Sequence, residues 1–192
     1  IMQYNNQPIY AAFHASSGGA TENSEDVWGN YLPYLRSVTD DDSKSPYHNW
    51  TSKFTVAQVE KKLSSAGKEV GNLKSIALVP ISSSGSVTGR SASGRAYGVK
   101  FTGTNGDIIL TGEQARRIFG LKSAMFNVRT ERSVQVPAKG TKKATASDGQ
   151  TIDTKPAAMN DGIMKLQGVD NVVFKGHGFG HGLGMAQYGA NA

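Results

Sequence analysis

The sequence predicts an α+β fold, mostly antiparallel β with a few short helices packed on it. Three observations carry this. Residues 73–111 fall into apolar runs, Ile76-Ala77-Leu78-Val79, Ala96-Tyr97-Gly98-Val99-Lys100-Phe101 and Asp107-Ile108-Ile109-Leu110, separated by Gly/Ser-rich or Asn-Gly turns, the pattern of an antiparallel meander. Two stretches open on a capping box, Thr55 with Gln58 and Thr111 with Gln114. Asn171-Val172-Val173-Phe174 is a β-branched run that leads into the glycine-rich close of the chain.

In order, Pro8-Ile9-Tyr10-Ala11-Ala12-Phe13 reads as a buried strand delivering the polar loop His14-Ala15-Ser16-Ser17-Gly18-Gly19. Ser24 is placed to cap a short helical turn whose first residues, Glu25 and Asp26, favour the positive end of the helix dipole. Residues 30–38 are apolar enough to dock on the core, and Thr39-Asp40-Asp41-Asp42-Ser43 reads as an exposed turn without the alternating ligands of a calcium loop. His48 reads as a surface or half-buried histidine. A helix from Thr55 places Val56, Val59 and Leu63 on one face until Gly67, and a second runs from Thr111 through Phe119 to Gly120. Ser123-Ala124-Met125-Phe126-Asn127-Val128 is a further strand, and residues 130–170, interrupted by Pro137 and Pro156, are expected to be a long flexible loop.

Composition bounds what these elements can serve. A chain of 192 residues, 38% hydrophobic and 19% charged, describes one domain. It has no apolar run of about 18 residues, and Ile1-Met2-Gln3-Tyr4 lacks the regions of a signal peptide. The absence of cysteine excludes disulfides and thiolate metal sites and leaves the compartment open. The net charge of +6 is uneven, since Glu22, Glu25, Asp26, Asp40, Asp41 and Asp42 face only Arg36 and Lys44 in residues 1–50, giving −4 there and +10 beyond. A basic surface attracts polyanions of the cell envelope and nucleic acid alike. No basic run is interleaved with aromatics, and residues 85–90 and 140–143 complete no phosphate loop, so nucleic acid is not an expected partner and nucleotide chemistry has no support.

The chemistry is concentrated at the end of the chain. In Lys175-Gly176-His177-Gly178-Phe179-Gly180-His181-Gly182-Leu183-Gly184-Met185-Ala186-Gln187-Tyr188-Gly189-Ala190, two histidines stand four apart among glycines that let a backbone approach a ligand. With a strand before it and a helix expected over residues 183–188, it reads as a strand-to-helix turn suited to a polar or anionic group. Glu22, Glu25 and Trp28 match a saccharide site, where carboxylates bind hydroxyls and an indole packs on a sugar ring. His14, Ser16 and Ser17 on one loop and His177 and His181 on the other supply donors and acceptors for hydroxyl and acetamido groups, and each histidine equally suits locking a glycine loop through a carbonyl. A zinc set of His14, His177 and His181 is the metal alternative; the intervening glycines argue against one regular helix, and no cofactor is expected.

The combination of residues 12–19 with Thr21-Glu22-Asn23-Ser24-Glu25-Asp26-Val27-Trp28, Pro33-Tyr34-Leu35, Thr111-Gly112-Glu113-Gln114, Leu121-Lys122-Ser123-Ala124-Met125-Phe126 and residues 177–190 closely resembles the SpoIID/LytB family over most of the chain outside 130–170. The resemblance implies a peptidoglycan lytic transglycosylase acting on peptide-stripped glycan strands to leave 1,6-anhydromuramic ends. It would act outside the cytoplasmic membrane, in the cell wall or septal space during sporulation and engulfment, from a full-length protein anchored in the membrane. A non-catalytic peptidoglycan-binding module that stimulates a cell-wall amidase is the alternative, with the amidase and other engulfment proteins as partners. The resemblance also implies one catalytic glutamate in a segment ahead of His14, so residues 1–192 are expected to be a single domain incomplete at both ends. No residue here inherits that role; Glu22 and Glu25 are the acids inside the signature and the candidates left for it. Substrate binding is expected of His14, Ser16, Ser17, Gly18, Gly19, Glu22, Glu25, Trp28, His177, Gly178, Gly180, His181 and Gln187.

Overall fold

A computed structural model describes residues 1–81, 89–131 and 163–191. In chain order these form β1 (Gln3–Tyr4), β2 (Gln7–Pro8), β3 (Phe13–His14), α1 (Ser24–Trp28), β4 (Trp50–Thr55), α2 (Val56–Ser65), β5 (Leu73–Val79), β6 (Gly98–Gly103) and β7 (Gly106–Thr111). Then follow α3 (Gly112–Phe119), β8 (Phe126–Glu131), β9 (Met164–Lys165), β10 (Asn171–Gly176), β11 (Met185–Ala186) and a 3-10 turn at Gly189–Asn191. No described helix is long and apolar enough to cross a membrane.

The expected α+β architecture is what the chain adopts. The meander is β5-β6-β7, antiparallel throughout, with β9 added on the free side of β5. A second antiparallel sheet has the order β4-β10-β8, so β10 is flanked on both sides. Both capping boxes form. Thr55 Oγ1 accepts from the Gln58 N–H at 3.1 Å while Gln58 Oε1 accepts from the Thr55 N–H at 2.9 Å. Thr111 and Gln114 do the same at 3.0 and 2.9 Å. Each box satisfies helix-end donors that have no partner within the helix.

The two sheets share one core, and Phe119 of α3 joins them. Its ring stacks on Phe174 of β10 at 5.3 Å and meets Phe101 of β6 at 5.6 Å. Phe54 and Phe126 pack edge-on against the same Phe174 ring. Val59 and Leu63 of α2 are buried beside them, as their spacing requires. The strand that carries the glycine-histidine segment is therefore the best anchored in its sheet, held by two neighbours and an aromatic cluster.

Several expectations are corrected. Residues 8–13 are not a buried strand: Tyr10 and Phe13 are exposed, Pro8 ends a two-residue pairing with Gln3, and Phe13 and His14 pair with Met185 and Ala186 of β11. Residues 183–188 do not open a helix, because Met185–Ala186 lies parallel to β3 and takes its hydrogen bonds from there. Ser24 is the first helical residue and Asn23 the N-cap; the Ser24 hydroxyl instead accepts from the Leu32 N–H at 2.7 Å. The strand expected at 123–128 starts at Phe126, with Ser123 bridging to Gly180. Of residues 130–170, Thr130 and Glu131 close β8 and Met164–Lys165 is β9, whereas 132–162 lie outside the described residues.

Phe174 is fully buried, and truncating it leaves a cavity where five rings meet. Phe174→Ala is expected to lower the unfolding free energy by about 3–5 kcal/mol, read from the urea midpoint at unchanged m-value.

Candidate functional site

Two loops meet back to back. Ser16 N–H donates to the Phe179 carbonyl at 3.1 Å and Phe179 N–H to the Ser16 carbonyl at 2.8 Å, which sets the first glycine loop against the last. Gly18 and Gly178 sit at φ +76° and +75°. A Cβ on Gly18 would come within 2.8 Å of the His177 carbonyl carbon, and one on Gly178 within 2.7 Å of the Ser16 oxygen. Both positions therefore require the absence of a side chain as well as the left-handed backbone. The glycines seal a seam rather than opening a bay for ligand.

Polar side chains lock the seam. Asp42, fully buried, accepts from the Ser16 hydroxyl, from Gly18 N–H at 2.8 Å and from His48 Nδ1 at 2.8 Å. Burial alone would raise its carboxyl, but these hydrogen bonds outweigh it and hold the pKa below the ordinary value. Asp40 accepts from the Ser17 hydroxyl at 2.6 Å. Asp40 and Asp42 thus reach inward, where the sequence suggests an exposed turn, because the loop hydroxyls and N–H groups need acceptors that no strand supplies, and Asp41 between them stays exposed. Arg95, 4% exposed, donates to the carbonyls of Ala20 at 3.0 Å and Ser17 at 2.9 Å, and burial lowers its pKa.

The seam sorts the histidines into two pairs. His14 and His181 lie with ring centroids 5.8 Å apart, pinned by the backbone of one residue: His14 Nδ1 donates to the Leu183 carbonyl at 3.0 Å, and Leu183 N–H donates to His181 Nδ1 at 3.0 Å. Burial pushes His14 down to about 4, partly offset by that carbonyl, and lowers His181 as well. His14 Nε2 is buried without a partner. His177 instead meets His48, at 5.9 Å.

Beside the first pair is a cleft of about 310 Å³, its lining including Glu22, Glu25, Asp26, Ser91, Arg95, Tyr97 and Glu113. Trp28, 38% exposed, stands between Val27 and Gly29 of its rim and faces His181 at 5.8 Å. Each carboxylate in the wall is engaged. Glu22, 1% exposed, accepts from the Ser91 and Ser93 hydroxyls and from Asn23 N–H at 2.9 Å. Glu25 is bonded to Arg36, which holds it down to about 2. Asp26 accepts from the Tyr97 hydroxyl at 3.0 Å, and Glu113 pairs with Arg116 at 3.0 Å. Burial and the Asp26 carboxylate together raise Tyr97 to about 12.

Stage II sporulation protein D of Bacillus subtilis (strain 168) is 31% identical over 192 residues, all of this chain and 41% of that protein. The protein of the same name from Bacillus amyloliquefaciens matches to the same extent. The amidase enhancer of Bacillus subtilis (strain 168) is 26% identical over an aligned length of 215, all of this chain and 28% of that protein. The chain is a SpoIID/LytB-family homologue. It spans about two fifths of the length of the sporulation proteins it matches. No family model matches it.

In this SpoIID/LytB homologue the expected site residues separate by task. Glu22, Glu25 and Trp28 belong to the cleft and its rim, with His14 and His181 beside Trp28. Ser16, Ser17, Gly18, Gly178 and Gly180 build the seam; a Cβ on Gly180 would meet His14 Cβ at 2.8 Å. Gly19 has open space around its Cα. Gln187 contributes its N–H to the His14 carbonyl at 2.9 Å and leaves its side chain exposed. Among the described residues no three His, Asp or Glu side chains converge on a metal position, so the three-histidine set is not assembled. The residues missed in the sequence are Asp40, Asp42, Ser91, Arg95 and Tyr97. Their one visible signal is the acidic excess of residues 1–50 in a basic chain.

Two outcomes are expected. Gly178→Ala meets backbone at 2.7 Å in a left-handed conformation and should cost more than about 2 kcal/mol in urea unfolding. His14 folds neutral: its stabilisation is complete above the ordinary 6.5 and is lost as pH falls through the folded value near 4, when the unfolded chain binds the extra proton. Stability should thus drop by roughly 3 kcal/mol from this residue between pH 7.5 and 4. In His14→Gln the slope of the urea midpoint over that range should be shallower.

Proposed function

We propose that this chain holds the glycan strand of peptidoglycan in the acid-walled cleft, as the substrate-holding part of a lytic transglycosylase acting on strands stripped of stem peptides. The observation that supports this reading is the cleft itself: a wall of engaged carboxylates and hydroxyls with an exposed indole at the rim. Such a wall offers fixed acceptors to sugar hydroxyls, and the indole offers a face to a pyranose ring. The likeness to stage II sporulation protein D and to the amidase enhancer supports a cell-wall role.

The chemistry of a lytic transglycosylase needs one carboxyl group that is protonated at first, gives its proton to the glycosidic oxygen and then takes one from the muramic C6 hydroxyl. Glu25, held near 2 by Arg36, is ionised throughout and cannot begin that cycle. Glu22, 1% exposed, has its carboxylate taken up by the Ser91 and Ser93 hydroxyls, which is not the apolar setting a proton donor needs. On this reading both serve in holding the strand rather than in proton transfer. The same observation favours a second reading, a non-catalytic module that binds glycan and stimulates a cell-wall amidase, in keeping with the likeness to the amidase enhancer.

Peptide-stripped glycan strands should bind residues 1–192 saturably, and Trp28→Ala should weaken binding about fivefold, the equivalent of roughly 1 kcal/mol of ring contact. Incubation with this chain alone should release no 1,6-anhydro ends by chromatography. Absence of saturable binding would sink the glycan reading, and anhydro ends that vanish in Glu22→Gln would make Glu22 the acid.

A further inference from the structure

His48 and His177 lie apart from the cleft, and neither takes part in the glycan reading. Their rings meet edge to face, and each has its Nδ1 committed. His48 Nδ1 is 2.8 Å from Asp42 Oδ1, on a carboxylate with no side-chain exposure, and His177 Nδ1 is 3.1 Å from the His48 carbonyl. The carbonyl can only accept, and the Asp42 carboxylate, which already accepts from the Ser16 hydroxyl and Gly18 N–H on Oδ2, accepts from His48 on Oδ1. The ring proton of each histidine is therefore fixed on Nδ1, and in the neutral imidazole the lone pair stands on Nε2.

That is how proteins prepare histidine to bind a metal: the nitrogen away from the ion donates to a carboxylate or carbonyl, which orients the ring and raises its basicity. We propose that His48 and His177 together bind an imidazole-preferring divalent transition metal, zinc being the probe, through their two Nε2 atoms. Water fills the remaining positions. Two imidazoles on one tetrahedral zinc, at the usual Zn–N distance, place their ring centroids roughly 5 Å apart. The rings here stand 5.9 Å apart, close to that separation, and His48, 31% exposed, gives the ion an entrance.

The ion would join two pieces of chain that the seam depends on. His177 follows the end of β10, and His48 is tied to Asp42, which holds Ser16 and Gly18 of the opposing loop. Metal binding would stiffen the junction of the two glycine loops from behind, whether or not the cleft takes glycan.

Untagged residues 1–192 titrated with zinc chloride alone should show saturable binding by calorimetry and a thermal midpoint that rises with zinc. His48→Gln and His177→Gln should each weaken binding at least tenfold, and Asp42→Asn by about ten- to a hundredfold. Because Asp42 also holds the seam, the wild-type chain supplies the independent readout: in long-range 15N spectra, zinc should shift Nε2 of His48 and His177 while both Nδ1 stay protonated. No saturable binding below about 1 mM zinc, an affinity unchanged in both histidine variants, or zinc shifts confined to His14 and His181 would each overturn the proposal.

Discussion

The rest of the site depends on one close approach, backbone on backbone, between Gly18 and Gly178. No side chain fits on either at this separation, and both hold a left-handed φ. From that contact follow both histidine pairs, the position of His14 against Leu183, and the rim beside Trp28. The second loop can be held this firmly because the strand before it is the middle one of three and carries Phe174 into the shared core.

A seam of bare backbone leaves donors and acceptors that water cannot reach, and the chain meets them with charge. Asp42 accepts three hydrogen bonds and Arg95 donates across two loops, each a buried ion that would be costly without those partners. The acidic excess of residues 1–50 thus has a structural outlet, because Glu22 and Asp42 are both inside. The cleft draws on the same economy: its carboxylates are already bonded to Ser91, Ser93, Arg36, Tyr97 and Arg116, so they present a rigid wall of acceptors. Rigid acceptors suit recognition of a hydroxyl-rich polymer better than proton transfer, which asks for one carboxyl group in an apolar setting.

Local signals in the sequence were legible where local chemistry decides the outcome. Thr55 with Gln58 and Thr111 with Gln114 fix two helix starts, Gly120 a helix stop, and the Asn105-Gly106 step a hairpin, because each satisfies its own backbone within a few residues. Where a segment takes its partners from far along the chain the reading failed. Residues 185–186 have the composition of a helix start but pair with Phe13 and His14, 172 residues earlier, and residues 8–13 have the composition of a buried strand but pair only at their two ends, in two-residue ladders.

The sequence by itself determined the fold class, the two capped helices, the central strand of the second sheet and the two segments in which the site's chemistry would lie. Propensity, capping and glycine patterning act over a few residues and are written there. Only the tertiary structure decided which groups those segments present to each other: that His14 goes with His181 and His177 with His48, that Asp42 is buried, and that Ser91, Arg95 and Tyr97 close the cleft. The reason is physical. A buried polar group takes whatever partner the packed chain brings within about 3 Å, and that partner is set by how two distant loops stack, which no local pattern encodes.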